Sequence, residues 1–360
     1  MAKKDITIKY KSDTKEAQSG IKKVASELNK LSKGIKASDV TALATEIISG
    51  HRLSENDDLT ILKEAPLEKL SEGADRIREH FIGDGVDLCT IISGKNGACS
   101  ENCKFCAQSA HNHTGCDVYG LLDYDEIYAL ASSNEKAGVD RFAIVISGHG
   151  PSDDDFDRIV EIYRRLRKEL KISLCASLGF LTQQQFERLY EAGVRSYHNN
   201  IETSPGYFSK ICTSHTFEDK AANIKRAQKA GLNVCSGGII GMGETMDDRI
   251  DMAFALANLG IKSIPVNTLI PIPGTPLENL PALGNDEILR TIAIFKYINP
   301  EADIRLGAGR KLIDGNGEAA FRSGASATIT GDMLTTSGST IKSDREMLMR
   351  LGRAVIQPHG

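Results

Sequence analysis

The chain has 360 residues, of which 41% are hydrophobic and 26% are charged, so it is long enough to bury a large core. Its net charge of −4 excludes the basic surface of a nucleic-acid-binding protein, and no apolar run is long enough to cross a bilayer. The first residues lack the apolar stretch of a signal peptide. The eight cysteines therefore predict a reducing cytoplasm, where thiols serve metal binding or reactivity.

Residues 1–37 are rich in lysine and only lightly apolar. Val24, Leu28 and Leu31 lie at helical spacing, which allows a short amphipathic helix. The polar bias instead favours a solvated, partly disordered extension, and this is the interpretation we adopt.

Residues 38–85 are expected to form a helical lead-in to the rest of the chain. Ser38 is a suitable N-cap for a helix that runs to Ile48, and Asp39 would then lie in its first turn. The segment Ala74–Phe81 predicts another helix.

Short apolar strands alternate with amphipathic helices over residues 86–360. The predicted strands are Asp87–Ile92, Arg141–Ser147, Ile172–Ser177, Val194–Asn199, Asn233–Gly238, Ser263–Leu269, Ile304–Gly307 and Ala327–Ile329. The predicted helices are Tyr124–Ala137, Asp154–Leu170, Gln183–Ala192, Phe217–Ala230, Met246–Leu259 and Asp286–Ile298. This alternation predicts a parallel sheet, and eight strands favour a closed (β/α)8 TIM-type barrel of the α/β class, with its functional side chains at one mouth.

Three cysteines, Cys99, Cys103 and Cys106, follow the first predicted strand. Thiolates this close together can hold one face of an iron–sulfur cluster, and three ligands leave one iron of a four-iron cluster open. A structural zinc site is the main alternative, but zinc usually takes four ligands in paired spacings, and the chain has no second Cys-x2-Cys pair. A disulfide framework does not suit so long a chain with so few cysteines.

The Cys-x3-Cys-x2-Cys spacing resembles the signature of the radical S-adenosylmethionine (SAM) superfamily. This resemblance implies a [4Fe–4S] cluster on the three cysteines, with SAM chelating the open iron. An electron delivered through such a cluster would cleave SAM and give a deoxyadenosyl radical. The protein would orient that radical and exclude water.

From residue 38 to the C-terminus the chain also resembles the biotin synthase family. The matching segments are Gly97–Ser109, Ser147–Pro151, Tyr197–Ser204, Val234–Thr245, Ser263–Asn267, Gly274–Leu277, Ile304–Arg310 and Leu334–Thr336. Many radical SAM families share the first segment, whereas the later ones in this order are typical of biotin synthase and its nearest relatives. The resemblance also implies a biotin- and thiamin-synthesis-associated region at the C-terminal end of the barrel.

The resemblance assigns SAM binding to Phe105, Asn200, Glu202, Lys220, Gly237, Ile239 and Gly241. Phe105 could equally shield the cluster as an apolar residue. Glu202 stands where relatives commonly have Asp or Asn. Lys220 stands where some relatives have Arg, and the alternative is that it is an ordinary solvated lysine on a helix. The glycines could let SAM approach the backbone, or form a tight strand-to-helix turn.

The same resemblance implies a substrate site for dethiobiotin. Asn200 would contact both SAM and substrate, and Asn267 would bond the ureido ring. Thr335 and Thr336 correspond to residues that hold the carboxylate tail. Asn200 and Arg305 are the residues to which we assign catalytic roles.

The sulfur source implied by the resemblance is an auxiliary iron–sulfur cluster inside the barrel. Cys175, Cys235 and Arg305 match three of its usual ligands, but the position of the remaining cysteine is Ala143. Our hypothesis is that Cys89, on the neighbouring strand, replaces the missing ligand. Two-iron and four-iron forms both stay open, and the alternative is that these cysteines are ordinary buried thiols.

These features predict an enzyme that inserts sulfur into dethiobiotin to make biotin. The resemblance also implies a low-potential flavodoxin or ferredoxin as electron donor, and a homodimer. A related radical SAM enzyme, such as a methylornithine-synthase-like mutase or a hydrogenase-cofactor maturase, is one alternative. A non-catalytic iron–sulfur scaffold is another. Cys116, near His111 and His113, is expected to face solvent, and Cys212 is expected to be a packed thiol.

Overall fold

The computed structural model describes residues 39–331 and 339–355, and a closed ring of parallel strands lies at its centre. The strands are β1 Gly85–Lys95, β2 Arg141–Ile146, β3 Ser173–Ser177, β4 Ser196–His198, β5 Asn233–Cys235, β6 Gly238–Ile240, β7 Ser263–Thr268, β8 Asp303–Leu306, β9 Ala327–Ile329 and β10 Ala354–Val355. The extension predicted over residues 1–37 lies outside the described residues.

The ring closes because β9 pairs in parallel with β1, after neighbouring strands have paired in chain order around the barrel. β5 and β6 both pair with β7 and occupy one position in the ring, which gives the eight positions of a (β/α)8 barrel. The predicted barrel is therefore confirmed. The short strand β10 pairs with the start of β1.

The strand predicted over residues 233–238 is interrupted between β5 and β6. A Cβ at Gly237 would lie 1.9 Å from the carbonyl oxygen of Pro265, so only glycine lets the chain pass this close to β7. The interruption was not predictable from the apolar pattern because its cause is a contact between distant segments.

The described α-helices are α1 Val40–Ile48, α2 Thr60–Glu64, α3 Leu67–Ile82, α4 Tyr124–Lys136, α5 Asp153–Glu169, α6 Gln183–Glu191, α7 Phe208–Ile211, α8 Phe217–Lys229, α9 Met246–Asn258, α10 Asn285–Ile298, α11 Glu318–Phe321 and α12 Ile341–Arg350. Four outer helices begin at capping boxes, which satisfy the free N–H groups of the first turn, at Asp123, Thr182, Thr216 and Thr245. None of the helices among the described residues has the length and apolar character to cross a membrane.

The first helix begins one residue later than predicted. Asp39 is its N-cap, and the carboxylate accepts a hydrogen bond from the backbone N–H of Thr41 at 3.1 Å. The prediction that Ser38 caps the helix, with Asp39 inside its first turn, is therefore wrong. Asp competes well with Ser at this position because its carboxylate also interacts favourably with the positive end of the helix dipole.

The lead-in helices pack on the barrel through α10. The Tyr297 hydroxyl donates a hydrogen bond to the carbonyl oxygen of Val40 at 3.1 Å, and a Cβ at Gly73 would collide with this hydroxyl. The helix predicted over Ala74–Phe81 is longer, because Leu70 of the same helix is also buried against this surface. These contacts fix the lead-in helices against α10.

Candidate functional site

One cavity of about 330 Å³ runs through the inside of the barrel. Cys106 and Phe105 line it at the loop that follows β1. Side chains on the barrel strands line it further in, among them Cys175, Cys235 and Arg305. The cavity therefore joins the cysteine loop to the thiols that the sequence assigned to a second centre.

The loop that carries Cys99, Cys103 and Cys106 is held by its own backbone. Asn112 donates from its side-chain amide to the carbonyl oxygens of Cys103 and Cys106, at 3.1 and 2.8 Å. The Cys99 N–H donates to the carbonyl oxygen of Gln108 at 2.9 Å. All three thiols are free and partly exposed. Burial raises the pKa of Cys106 to about 11, so this thiol becomes a thiolate when a metal replaces its proton.

Glu202 has a backbone conformation that side chains rarely adopt, with φ of +68°. Two backbone hydrogen bonds fix Glu202 in this conformation. The Glu202 N–H donates to the carbonyl oxygen of Gly237, just before β6, at 3.1 Å, and the Glu202 carbonyl oxygen accepts from the N–H of Ile239 in β6 at 2.8 Å. Its Oε2 is buried and has no hydrogen-bond partner. Such an orphaned carboxylate oxygen in a cavity wall fits the hydroxyl donors of a ribose.

Lys220 lies next to the carboxylate of Glu202. Its Nζ is 4.0 Å from Oε1 of Glu202 and lies over the ring of Phe180, 5.3 Å from the centroid. The lysine is only 9% exposed, which excludes the alternative of a solvated helix lysine. A buried cation beside a carboxylate suits a ligand that carries both signs of charge, as SAM does.

The structure separates the glycine-rich segment into two parts. Ile239 lines the cavity, whereas Gly237 and Gly241 do not. Gly241 has φ of +93°, and its N–H donates at 2.7 Å to Glu244, which forms a buried ion pair with Arg249. The protein itself thus satisfies this backbone, as a strand-to-helix turn requires.

The two asparagines assigned to substrate and SAM both line the cavity, and both are oriented by backbone groups. Asn200 accepts from the Gly237 N–H at 3.1 Å. Asn267 donates to the Gly238 carbonyl at 3.2 Å and accepts from the Ala308 N–H at 2.9 Å. Thr335 and Thr336, assigned to the carboxylate tail, lie outside the described residues.

The inner part of the cavity brings three buried thiols together with Ala143. Cys89, Ala143 and Cys175 pack as one cluster, as expected if Cys89 points inward beside the alanine. Cys235 lies across the cavity, where the Ser263 hydroxyl donates to its sulfur at 3.3 Å. Burial raises the pKa of Cys89 to about 11, against the opposing charges of Arg305 and Arg141, and burial also raises the pKa of Cys175.

Cys235 differs from the other two thiols in its protonation. Burial alone would raise its pKa, but a hydrogen bond with His198, the charges of His198 and Arg305, and the Ser263 hydroxyl together lower it to about 7. His198 and Cys235 are register partners on β4 and β5. Cys235 is therefore the thiol in this group that most readily provides a thiolate.

The guanidinium of Arg305 forms an ion pair and hydrogen bonds with neighbouring protein groups. Its Nη2 lies 2.5 Å from Oδ2 of Asp87, and Nη1 donates to the carbonyl oxygens of Asp87 and Thr328, each at 3.3 Å. Arg141 approaches the same Asp87 oxygen at 3.1 Å. Burial would lower the pKa of Arg305, but Asp87 outweighs it and raises the pKa above the ordinary value, so the guanidinium stays charged.

Two family models match the chain over most of the segments that build this cavity. The model described as Radical SAM superfamily covers residues 96–256, and the one described as Biotin and Thiamin Synthesis associated domain covers residues 265–354. The biotin synthase of Clostridium beijerinckii is 54% identical over 313 residues, which are 87% of this chain and 99% of that relative. The chain belongs to the biotin synthase family. It is therefore a radical SAM enzyme, as the cysteine spacing predicted.

A second member of the biotin synthase family, from Alkaliphilus metalliredigens, is 52% identical over 314 residues, 87% of this chain and 99% of the relative. Among solved structures, methylornithine synthase superposes with a TM-score of 0.76 at 22% identity, covering 87% of this chain and 97% of its own. An FeFe-hydrogenase maturase from Carboxydothermus hydrogenoformans gives 0.70 at 18% identity, covering 94% of this chain and 84% of its own. These two structures share the fold alone.

Sequence reasoning missed three polar side chains of this biotin synthase family site: Asp87, Arg141 and His198. Each lies two residues from a residue that was assigned, namely Cys89, Ala143 and Asn200. Because side chains alternate along a strand, residues two apart share a face, and this periodicity could have identified Asp87 on β1 and Arg141 on β2. His198 ends β4, so strand alternation does not connect it with Asn200.

A further set of contacts lies outside the barrel cavity. The sulfur of Cys212 is 3.7 Å from that of Cys103, and this contact lowers the pKa of Cys212 and raises that of Cys103. Cys212 is buried, as expected for a packed thiol, but its partners are polar. Cys116 is partly exposed in its loop.

Proposed function

We propose that this chain inserts sulfur into dethiobiotin inside the single barrel cavity, with an iron–sulfur centre at each end. The observation that carries the proposal is that Cys106 at the loop and Cys89, Cys175 and Cys235 on the strands line one continuous cavity. A substrate held between the two ends would meet a hydrogen-abstracting group on one side and a sulfur donor on the other.

At the loop end, we assign the SAM cluster to Cys99, Cys103 and Cys106. When bound there, the cluster and SAM would supply a radical able to abstract hydrogen from an unactivated carbon. The orphaned oxygen of Glu202 would accept from the ribose hydroxyls, and the nearby ammonium of Lys220 helps to hold Glu202 in place. Phe105 and Ile239 are the apolar cavity residues that exclude water beside them.

Between the ends, we assign dethiobiotin to Asn200 and Asn267. Both amides already have backbone partners that fix their orientation, so they present a defined pattern of donors and acceptors to a ureido ring. Asn200 also lies in the same turn as Glu202, which supports its assignment to both SAM and substrate. Thr335 and Thr336 stay assigned to the carboxylate tail through the family resemblance.

At the inner end, we assign the auxiliary cluster to the thiolates of Cys89, Cys175 and Cys235. Among residues 39–331 and 339–355 the only three ligand atoms within 4.8 Å of one another belong to a different set of residues. The three barrel thiols are not such a set, and we assign to them a cluster of several irons, which spans a wider space than a single ion. Iron counting distinguishes the two-iron from the four-iron form.

The guanidinium of Arg305 fits poorly as a metal ligand. A ligand nitrogen must offer a lone pair, and Arg305 is charged and donates to Asp87 and Thr328. We propose that it acts as a fixed positive charge that balances the thiolates around it. Its assignments as an auxiliary-cluster ligand and as a catalytic residue both stay predictions, and the fixed-charge role is the one that its contacts with Asp87 and Thr328 support better.

The test is anaerobic incubation of the reconstituted chain with dethiobiotin, SAM, a reductant and sulfide. Biotin, deoxyadenosine and iron per chain are assayed together. The expected result is about two deoxyadenosines per biotin, because two hydrogen abstractions are needed, and iron beyond the four atoms of one [4Fe–4S] cluster. Deoxyadenosine without biotin would redirect the assignment to a mutase-like or maturase-like reaction. Failure to bind SAM would leave only an iron–sulfur scaffold.

We further propose a low-potential flavodoxin or ferredoxin as electron donor, a homodimer, and a reducing cytoplasmic location. The last is supported by the eight cysteines, all of which are free thiols. The donor and the homodimer are supported by the family resemblance. Pull-down with a reduced flavodoxin and sedimentation at several protein concentrations test these two assignments.

A further inference from the structure

Two loops bring together Cys103, Cys212 and His215, none of which lines the barrel cavity. One ligand atom from each lies within 4.8 Å of the other two, and this is the only such set among the parts of the chain that the structure describes. Cys212 and His215 are almost fully buried, at 3% and 6% exposure. The reaction proposed above uses Cys103 but gives no role to Cys212 or His215.

The distances match the edges of a tetrahedral metal site. Zinc binds thiolate sulfur at about 2.3 Å and imidazole nitrogen at about 2.0–2.1 Å, so two sulfurs on a tetrahedral ion lie about 3.8 Å apart, and a sulfur and a nitrogen about 3.6 Å. The sulfurs of Cys103 and Cys212 are 3.7 Å apart, and the Cys212 sulfur is 3.5 Å from Nδ1 and 3.8 Å from Nε2 of His215, so one small turn of the ring presents Nε2 to an ion.

The imidazole is oriented as in many protein metal sites. Nδ1 of His215 hydrogen-bonds the carboxylate of Glu101, which leaves Nε2 as the free nitrogen. A carboxylate behind the distal nitrogen fixes the tautomer and orientation of a metal-binding histidine. Glu101 is itself held by the Ser214 hydroxyl at 2.5 Å and by His149 at 2.9 Å.

The surroundings keep this geometry rigid. The rings of Phe180 and Phe208 meet the His215 ring edge to face, with centroids 5.2 and 5.6 Å away. Asn102 accepts from the backbone N–H groups of Thr213 and Ser214 at 2.9 and 3.1 Å, which ties the loop of Cys212 to the loop of Cys103. The three ligand atoms thus come from two loops that are held together by hydrogen bonds.

We propose that, before its SAM cluster is assembled, the chain binds one tetrahedral divalent ion of the zinc type through Cys103, Cys212 and His215. Water completes the coordination, as it does in zinc sites with three protein ligands. Because Cys103 is also a cluster ligand, the ion and the cluster exclude each other. Zinc at this site therefore blocks cluster assembly until it is removed.

The first test is anaerobic titration of the full-length, cluster-free chain with Co²⁺, whose absorption reports tetrahedral thiolate coordination. One ion should bind with charge-transfer and d–d bands of that type. Cys212→Ser and His215→Gln should weaken this binding at least tenfold, and Glu101→Gln should weaken it about tenfold. The matched controls Cys106→Ser and Cys116→Ser should keep it. If Cys106→Ser removes the bands and Cys212→Ser does not, the ion sits on the cluster motif and the proposal is wrong.

The second test measures iron uptake. Preloading with one equivalent of Zn²⁺ should slow iron incorporation in the parent chain severalfold and have little effect in Cys212→Ser. Equal inhibition in both would overturn the proposal. Circular dichroism of each variant confirms folding. If Cys212→Ser fails to fold, the same iron-uptake comparison is made with His215→Gln. The cobalt readout needs no catalysis, so it stays interpretable if the proposed reaction fails.

Discussion

Arg305 and Asp87 form an ion pair inside the barrel, with 2.5 Å between Nη2 and Oδ2 and both side chains almost fully buried. The pair lies beside the three barrel thiols, and Arg141 shares the same carboxylate. A buried carboxylate with two arginines leaves a net positive charge. That charge stabilises thiolates in a region where burial would otherwise keep thiols protonated.

The first prediction separates the charge of Arg305 from metal coordination. Arg305→Lys keeps the charge, so auxiliary iron per chain should stay close to that of the parent. Arg305→Met should lower the free energy of unfolding by roughly 3–5 kcal/mol, because it leaves a buried carboxylate short of a partner. Iron assay and denaturant unfolding are the measurements. Loss of auxiliary iron from folded Arg305→Lys, as complete as from Cys175→Ser, would show that the guanidinium coordinates iron.

The second prediction concerns Cys89 as the replacement for the ligand missing at Ala143. Cys89→Ser should lose the auxiliary iron and biotin formation but keep SAM cleavage to deoxyadenosine, because the cysteine loop is untouched. Cys116→Ser is the matched control, since it removes a thiol outside both assigned centres. The measurements are iron per chain and both products. Unchanged iron together with unchanged biotin in Cys89→Ser would refute the assignment.

The barrel and the cysteine loop were predictable because both depend on local patterns. Strand–helix alternation needs only short-range periodicity, and the three motif cysteines lie within one loop. The inward direction of Cys89 followed from the same logic, since neighbouring strands and an alternating pleat decide which side chains face each other.

Contacts between distant segments were not predictable from such patterns. Cys212 meets Cys103 across 109 residues, and no spacing rule connects a loop after β4 with a loop after β1. The break at Gly237 likewise depends on the close approach of Pro265. Lys220 was ambiguous because helix periodicity places a residue on a face but does not say whether a ligand or solvent covers it.

The third prediction tests the orphaned carboxylate oxygen of Glu202. Glu202→Gln keeps the shape and the backbone conformation but replaces a charged acceptor, so SAM affinity should fall about 10–100-fold, the equivalent of a charge-assisted hydrogen bond of about 1.5–3 kcal/mol. Equilibrium binding of SAM to the cluster-loaded chain measures it. Glu161→Gln, at an exposed position of α5, is the control. SAM affinity equal to the parent's would remove Glu202 from the SAM site.

The last prediction concerns a buried lysine remote from the site. Lys296 on α10 has no exposed surface, and its ammonium donates to the Ala302 carbonyl at 2.9 Å. Burial lowers its pKa to about 7, despite the opposing charge of Asp303. The unfolded chain, with a lysine pKa near 10.4, therefore binds more protons than the folded chain between about pH 7 and 10, so stability rises with pH across this window.

Replacing this lysine should remove that dependence. Lys296→Met should raise the free energy of unfolding at pH 7 by a few kcal/mol, on the order of the pKa difference, and flatten its increase up to pH 9. Lys225→Met, at an exposed helix position, should leave the slope unchanged. Denaturant unfolding of the parent and both variants at pH 7, 8 and 9 measures the slopes. A parent chain whose stability is flat over this range, or a Lys296→Met slope equal to the parent's, would mean that the lysine stays charged in the folded barrel.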